Sequence, residues 1–295
     1  MLALLYLALM VALGDGLCRR FFAFRSLPVR FAAAFLSGLV LSGWITYIAA
    51  WFFGGTASPM AWGNLIFFVV AGVSVFLLYR FPPSRETGVD TAEGASAISN
   101  FEFEVSDFKR GDWITFAVIF LLVTWMMFST MSMEGGKVEI ANQQWSDFGS
   151  NVSIMQSFAL GHNFPTEYPH FSGERIRYHF MFYFEAGNLE YLGFNPALAN
   201  NVLGILSMVS LLVLVWALGV VLFASRVVGR IAAGLFFFHG SLAFIPYIIS
   251  KGGLSAAWSS LWTMREFLAS PFDYRGELWG VWSQVVFLNQ RHFAG

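Results

Sequence analysis

The chain has little charge and almost no cysteine. Only 12% of its 295 residues are charged, whereas a soluble globular domain usually carries about 25%. The formal net charge of −1 gives no basic surplus, which excludes nucleic acid as a partner because phosphate binding needs a concentrated basic surface. Cys18 is the only cysteine, so neither an internal disulfide nor a cysteine-based zinc site can form.

Long apolar runs occupy most of the chain, which is 57% hydrophobic and 18% aromatic. A transmembrane helix needs about 20 apolar residues. The sequence therefore predicts an all-α, polytopic transmembrane helical bundle of about six spans. A long extracytoplasmic loop with short amphipathic helices is expected between two of them. The predicted spans are residues 1–17, which is short, 31–53, 63–79, 113–130, 199–224 and 231–250.

Basic residues follow alternate spans, which predicts the orientation of the chain. Short cytoplasmic loops carry an excess of Lys and Arg, and the loop after the first span is the most basic part of the sequence. On this rule the region of residues 131–195 lies outside the cytoplasm. The residues that mark the cytoplasmic side are Arg19, Arg20, Arg25, Arg30, Arg80, Arg85, Lys109, Arg110, Arg226 and Arg230.

The sequence suggests three regions. Residues 1–81 form the N-terminal transmembrane helices, residues 82–112 form a flexible cytoplasmic linker rich in Ser, Thr, Gly and acids, and residues 113–295 form a second transmembrane region with the outer loop 131–195. Beyond Ser250, Trp258, Trp262 and Phe267 predict a helix lying in the membrane interface. The abrupt end at Gly295 leads us to expect the N-terminal portion of a longer membrane protein.

Asp147 opens a polar, aromatic stretch directly after the fourth span. A short helix is predicted from about residue 149 to 160. Near the membrane surface, beside Trp145 and Phe148, partial desolvation could shift the pKa of this carboxylate and make it a general base. The alternative is that Ser146 or Asp147 caps the helix, a common role that contributes about 1 kcal/mol.

A second group of candidate residues lies further along the outer loop. Arg175, Arg177 and His179 alternate with apolar or aromatic residues, so in an extended segment they share one face and could bind a phosphate. The alternative is a set of solvated ion pairs with Glu174, which stabilise little. His162, His170 and His179 match no compact metal-ligand spacing, so no metal site is predicted from them. His239, in the sixth predicted span, is either functional or hydrogen-bonded to a backbone carbonyl.

The order of a span, an aspartate, a short helix, a glycine and a proline resembles the first outer loop of GT-C glycosyltransferases. The matching residues are Asp147, Gly161 and Pro165, with GERIRYHF and NQRH at residues 289–292 as further similar pieces. The resemblance is closest to the mannosyltransferase-like and lipid A sugar-transferase-like branches. It implies that Asp147 is the catalytic base and that Arg175, Arg177 or Arg291 binds the lipid phosphate.

Two features depart from the GT-C pattern. Phe148 replaces a second acid, and three N-terminal spans precede the span that leads into the loop, where many members have that one span only. The resemblance implies a polyprenyl-phosphate-linked sugar donor, a lipid or glycan acceptor and an active side outside the cell membrane. It implies no cofactor and leaves a divalent metal open. The alternatives are a transporter or lipid flippase-like protein, and a non-catalytic membrane assembly protein.

Overall fold

The computed structural model describes residues 1–22, 24–81, 107–141, 145–177, 179–238, 244–263, 287 and 291. Within these residues the chain is mostly helical. Five helices are long and apolar enough to cross a membrane. They are α1 (Leu2–Phe21), α2 (Leu27–Phe52), α3 (Pro59–Arg80), α4 (Arg110–Thr130) and α7 (Pro196–Phe223).

Five of the six predicted spans coincide with these helices. Within the described part of the chain, the sixth predicted span, residues 231–250, is not among the candidate spans. Its described parts belong to α8 (Arg226–Phe238) and α9 (Phe244–Ser250), and α8 alone has 13 residues, fewer than a crossing needs. Residues 239–243, including His239, lie outside the described residues. α10 (Leu254–Thr263) follows. Of the predicted linker 82–112, residues 82–106 lie outside the described residues, whereas residues 110–112 belong to α4 and are helical. Phe267 is not described.

The outer loop contains strands as well as helices, so the all-α prediction is wrong in this region. β1 (Met131–Glu134) pairs antiparallel with β2 (Lys137–Ile140). Between them Gly135 and Gly136 have φ values of 56° and 79°, which glycine adopts without steric cost and which a two-residue hairpin turn requires. β3 (Glu167–Tyr168) and β4 (Phe171–Arg175) form a second hairpin. The remaining elements of the loop are α5 (Trp145–Ala159) and α6 (Met181–Tyr191).

α1 and α2 pack as an antiparallel pair through two glycines. A β carbon added to Gly14 would lie 1.9 Å from the carbonyl oxygen of Ala34, and one added to Gly38 would lie 2.3 Å from the carbonyl oxygen of Met10. The two backbones are therefore closer than any larger residue allows. Small residues at such crossings are typical of membrane helix pairs, in which van der Waals packing stabilises the association.

The ends of the spans that carry arginine meet at one end of the bundle. Asp15 on α1 accepts hydrogen bonds from Arg19 Nε at 2.6 Å, from Arg30 Nε of α2 at 2.8 Å and from the Tyr79 hydroxyl of α3 at 2.6 Å. We call this the arginine-rich end. The helices α1, α2 and α3 meet there because consecutive helices run in opposite directions, as the positions of the basic residues predict.

A second group of ion pairs at the arginine-rich end joins α4 to α8 (Arg226–Phe238). Asp112, near the start of α4, pairs with Arg226 and, at 3.7 Å, with Arg230, both on α8. The backbone N–H of Leu27 donates to Asp107 Oδ1 at 2.8 Å, which links the start of α2 to the segment before α4. The outer loop packs at the opposite end, where the Tyr47 and Thr166 hydroxyls are hydrogen-bonded at 2.9 Å.

Candidate functional site

Asp147 lies in the first turn of α5, close to the outer end of α4. Helix α5 begins at Trp145, so Asp147 lies inside the helix. It does not occupy the N-cap position that the alternative interpretation assigned to Ser146 or Asp147. A carboxylate in the first turn is favoured by the helix dipole. The Asp147 side chain is partly exposed, whereas the next residue, Phe148, is buried. The carboxylate is thus accessible at the edge of a buried aromatic surface.

Arg291 is buried against that same aromatic surface. Its exposed fraction is 1%, and its guanidinium carbon lies 5.0 Å from the centre of the Phe148 ring, within the range of a cation–π contact. One guanidinium N–H donates to Asn201 Oδ1 of α7, and another donates to the carbonyl oxygen of Met127 of α4 at 3.4 Å. Arg291 therefore joins α4, α5 and α7.

The sequence of α7 provides the space and the acceptor that Arg291 needs. Gly204 faces the arginine stem, since a β carbon there would lie 3.3 Å from Arg291 Cδ. Asn201 is fixed from its other side because its Nδ2 donates to the carbonyl oxygen of Met131 at 2.8 Å. Adjacent asparagines at 200 and 201, inside a span without charged residues, are the sequence signal that could have identified this side of the site.

The structure thus places one predicted site residue, Arg291, against the residue that follows another, Asp147, in the chain. Arg291 contacts Phe148, and Phe148 is the neighbour of Asp147 in α5. We call Asp147, Phe148, Asn201 and Arg291 the outer site. Arginine stays charged when buried, and a charge in a water-poor environment interacts more strongly with an incoming phosphate than a solvated charge does. The outer site has the components for holding an anionic group beside a carboxylate.

The other predicted phosphate ligands lie on the surface of the outer loop. Arg175 is the last residue of β4, and Arg175, Arg177 and His179 are all exposed. Ile176 packs against the main apolar core, which orients the segment and leaves its basic neighbours in contact with solvent. Arg175 lies opposite Glu167 in the hairpin register. These residues therefore form an exposed basic segment, distinct in environment from buried Arg291.

A buried polar cluster on α6 was not among the predicted site residues. Glu185 has an exposed fraction of 2%. Its Oε1 accepts hydrogen bonds from the Ser42 hydroxyl at 2.8 Å and from the Tyr6 hydroxyl at 3.2 Å. One helical turn later, Asn188 Oδ1 accepts from Asn64 Nδ2 at 2.6 Å. Spacing of three residues puts Glu185 and Asn188 on one face of α6, where they bind side chains of α1, α2 and α3.

Burial changes the acidity of two carboxyl groups on α6. It raises the pKa of Glu185 to about 8, and the hydrogen bonds from Ser42 and Tyr6 oppose the rise. The pKa of Glu190 is raised for the same reason, and the long hydrogen bond of 3.5 Å from Gln156 opposes it weakly. Water solvates a charged carboxylate better than this environment does, so the folded state favours the neutral acid at Glu185.

The described residues contain no group of three or more His, Cys, Asp or Glu side chains arranged to hold a metal ion. The outer site offers one carboxylate, Asp147, followed by Phe148. We therefore assign no metal ligand, and the function proposed below uses only side chains of this chain.

Comparisons with known protein families, with characterised proteins and with solved structures found no match. The class of the protein follows from the fold. Five helices long and apolar enough to cross a membrane define a polytopic helical membrane protein.

Proposed function

We propose that the chain is an integral membrane glycosyltransferase that uses a polyprenyl-phosphate-linked sugar and acts at the extracytoplasmic end of the bundle. Its acceptor is a lipid or glycan hydroxyl. The acceptor oxygen forms a bond to the anomeric carbon as the bond from that carbon to the phosphate oxygen breaks. Asp147 takes the hydroxyl proton, and the polyprenyl phosphate leaves with the electron pair of the broken bond.

The observation that supports this proposal is the position of Arg291 beside the first turn of α5. A buried guanidinium next to the residue that follows Asp147 offers a fixed positive charge for the leaving phosphate. Groups fixed in advance stabilise the transition-state charge without reorganising during the reaction. The exposed Arg175, Arg177 and His179 would contact the donor earlier, as it approaches along the outer loop.

The test is sugar transfer by membranes that contain the protein, with a panel of polyprenyl-phosphate sugars as donors. Asp147→Asn keeps the size of the side chain but removes the base, and general-base catalysis typically contributes about 10²–10⁴-fold in rate. We expect a loss of that size. Glu139→Gln, an exposed carboxylate on β2 of the same loop, is the matched control and should transfer normally. Equal transfer by wild type and Asp147→Asn would refute the role of Asp147.

A second candidate function, a transporter or lipid flippase, is favoured by the polar cluster around Glu185. Tyr6, Ser42 and Asn64 are polar residues inside candidate spans, and all three bind α6. Polar groups within spans often mark substrate paths. Uptake or lipid scrambling in proteoliposomes that is lost in Glu185→Gln, with no sugar transfer by wild type, would favour this candidate over the first.

A further inference from the structure

An apolar groove lies in the half of the bundle near the arginine-rich end. It has a volume of about 460 Å³ and is lined by side chains of α1, α2, α4 and α7, together with Phe108. A space of this size is far larger than the voids of a packed protein interior and falls within the range of ligand pockets, about 300–1,000 Å³. The groove is therefore large enough to hold a ligand.

The groove opens on the lateral face of the bundle, the face parallel to the helix axes. Phe31 of α2, Trp113 of α4 and Phe120 of α4 line it and are 54%, 58% and 44% exposed. Its floor is formed by buried residues that include Phe116 and Val213. In a protein with spans at these helices, the exposed face borders the hydrocarbon of the bilayer. The groove is thus open to lipid rather than to water.

The chemistry of the lining selects a hydrocarbon chain. The residues that line the groove are apolar or aromatic, apart from the single hydroxyl of Ser210. No charged side chain in the described part of the chain lines it, so a polar metabolite would lose its hydration without gaining partners. A flexible acyl chain loses no hydration when it moves from the bilayer into the groove, and it fills the space between α2 and α4.

Two exposed cations follow directly after Phe108, a lining residue at the arginine-rich end of the groove. Lys109 and Arg110, at the start of α4, are exposed and lie in sequence between the lining residues Phe108 and Trp113. Among the described acids of this segment, Asp112 pairs with two arginines, and Asp107 accepts a hydrogen bond from the Leu27 N–H, so the two cations outnumber the one carboxylate that has no cationic partner among the described residues. A cation near the membrane surface attracts anionic lipid by about 1 kcal/mol. This end of the groove therefore complements an anionic headgroup.

We propose that this groove is a binding site for one anionic phospholipid, with an acyl chain between α2 and α4 and its headgroup at Lys109 and Arg110. By the rule that short cytoplasmic loops are positive, the lipid comes from the cytoplasmic leaflet. The site is distinct from the outer site and does not depend on glycosyl transfer.

The first experiment is native mass spectrometry of the purified full chain in mild detergent. Phosphatidylglycerol, phosphatidylcholine with the same acyl chains, and a polyprenyl phosphate are each added. We expect one phosphatidylglycerol to remain bound to wild type. Ala117→Trp places an indole in the groove and should abolish retention. Val73→Trp, at a position of α3 that is 54% exposed and outside the groove, is the matched control and should retain the lipid.

The second experiment tests the headgroup. Lys109→Gln with Arg110→Gln should reduce the preference for phosphatidylglycerol over phosphatidylcholine by about fivefold for each cation removed. Lys137→Gln, exposed on β2 of the outer loop, should leave it unchanged. The proposal is overturned if Ala117→Trp retains as much lipid as wild type, if the double variant keeps its preference, or if polyprenyl phosphate is retained in place of phospholipid. A melting curve for each variant separates loss of lipid from loss of fold.

Discussion

Replacement of Gly14 by alanine tests the close contact between α1 and α2. The new β carbon would lie 1.9 Å from the Ala34 carbonyl oxygen, whereas real β carbons essentially never approach a neighbouring atom within 3.0 Å. The helices must therefore separate by about 1 Å. Overpacking of this kind costs about 1–3 kcal/mol, and contact with rigid backbone favours the upper part of that range.

Gly72→Ala is the matched control because it lies inside α3 with nothing within 4 Å of the new β carbon. Both substitutions gain up to about 1 kcal/mol of helix propensity. We therefore expect Gly14→Ala to lose about 2 kcal/mol of unfolding free energy after this gain, and Gly72→Ala to be unchanged or slightly more stable. Gly14→Ala should therefore melt below the wild-type temperature and Gly72→Ala at or above it.

The assay uses the single cysteine of the chain. Cys18 is 4% exposed, so a fluorogenic maleimide should react with it only as the protein unfolds. A loss of 2 kcal/mol corresponds to a fall of several degrees, at roughly 2–4 °C for each kcal/mol. Gly38→Ala adds a β carbon to the α2 side of the same contact and should also lower the melting temperature. The reasoning fails if Gly14→Ala melts at or above the wild-type temperature. It also fails if Gly14→Ala and the control Gly72→Ala lower the melting temperature by the same amount.

Three further predictions follow from other contacts. Because the folded-state pKa of Glu185 is about 8, its stabilising contribution is complete below its ordinary pKa and is lost as pH rises through 8. Wild type should therefore melt lower at pH 9 than at pH 6, and Glu185→Gln should reduce that difference. Asp112→Asn removes the partner of partly buried Arg226, and a thermal melt should show a loss approaching the 3–5 kcal/mol of a broken buried pair. For sidedness, an impermeant maleimide should label Glu139→Cys in intact cells but Lys109→Cys only after permeabilisation; the reverse pattern would place the outer site in the cytoplasm.

The outer site shows how far single residues could be predicted. Asp147 is predicted as a carboxylate that follows a span, and the GT-C resemblance implies a phosphate-binding role for Arg291. Nothing local in the sequence indicates that Arg291 lies against Phe148, because that contact depends on how α4, α5 and α7 pack. Arg175, Arg177 and His179 have the same residue chemistry as a phosphate site, but only the structure distinguishes their exposed segment from buried Arg291.

Local composition determined the spans. A run of about 20 apolar residues has few stable states other than a membrane helix, and the arginines that follow alternate runs set the direction of each, so α1 to α4 and α7 were predicted from the sequence alone. Contacts between distant segments were decided by the tertiary structure. The turn at Gly135 and Gly136 makes strands in a loop predicted to be helical, and Glu185 becomes a buried acid only when α6 packs against Ser42 and Tyr6. Burial and hydrogen bonding of this kind depend on neighbours distant in sequence, which no local pattern records.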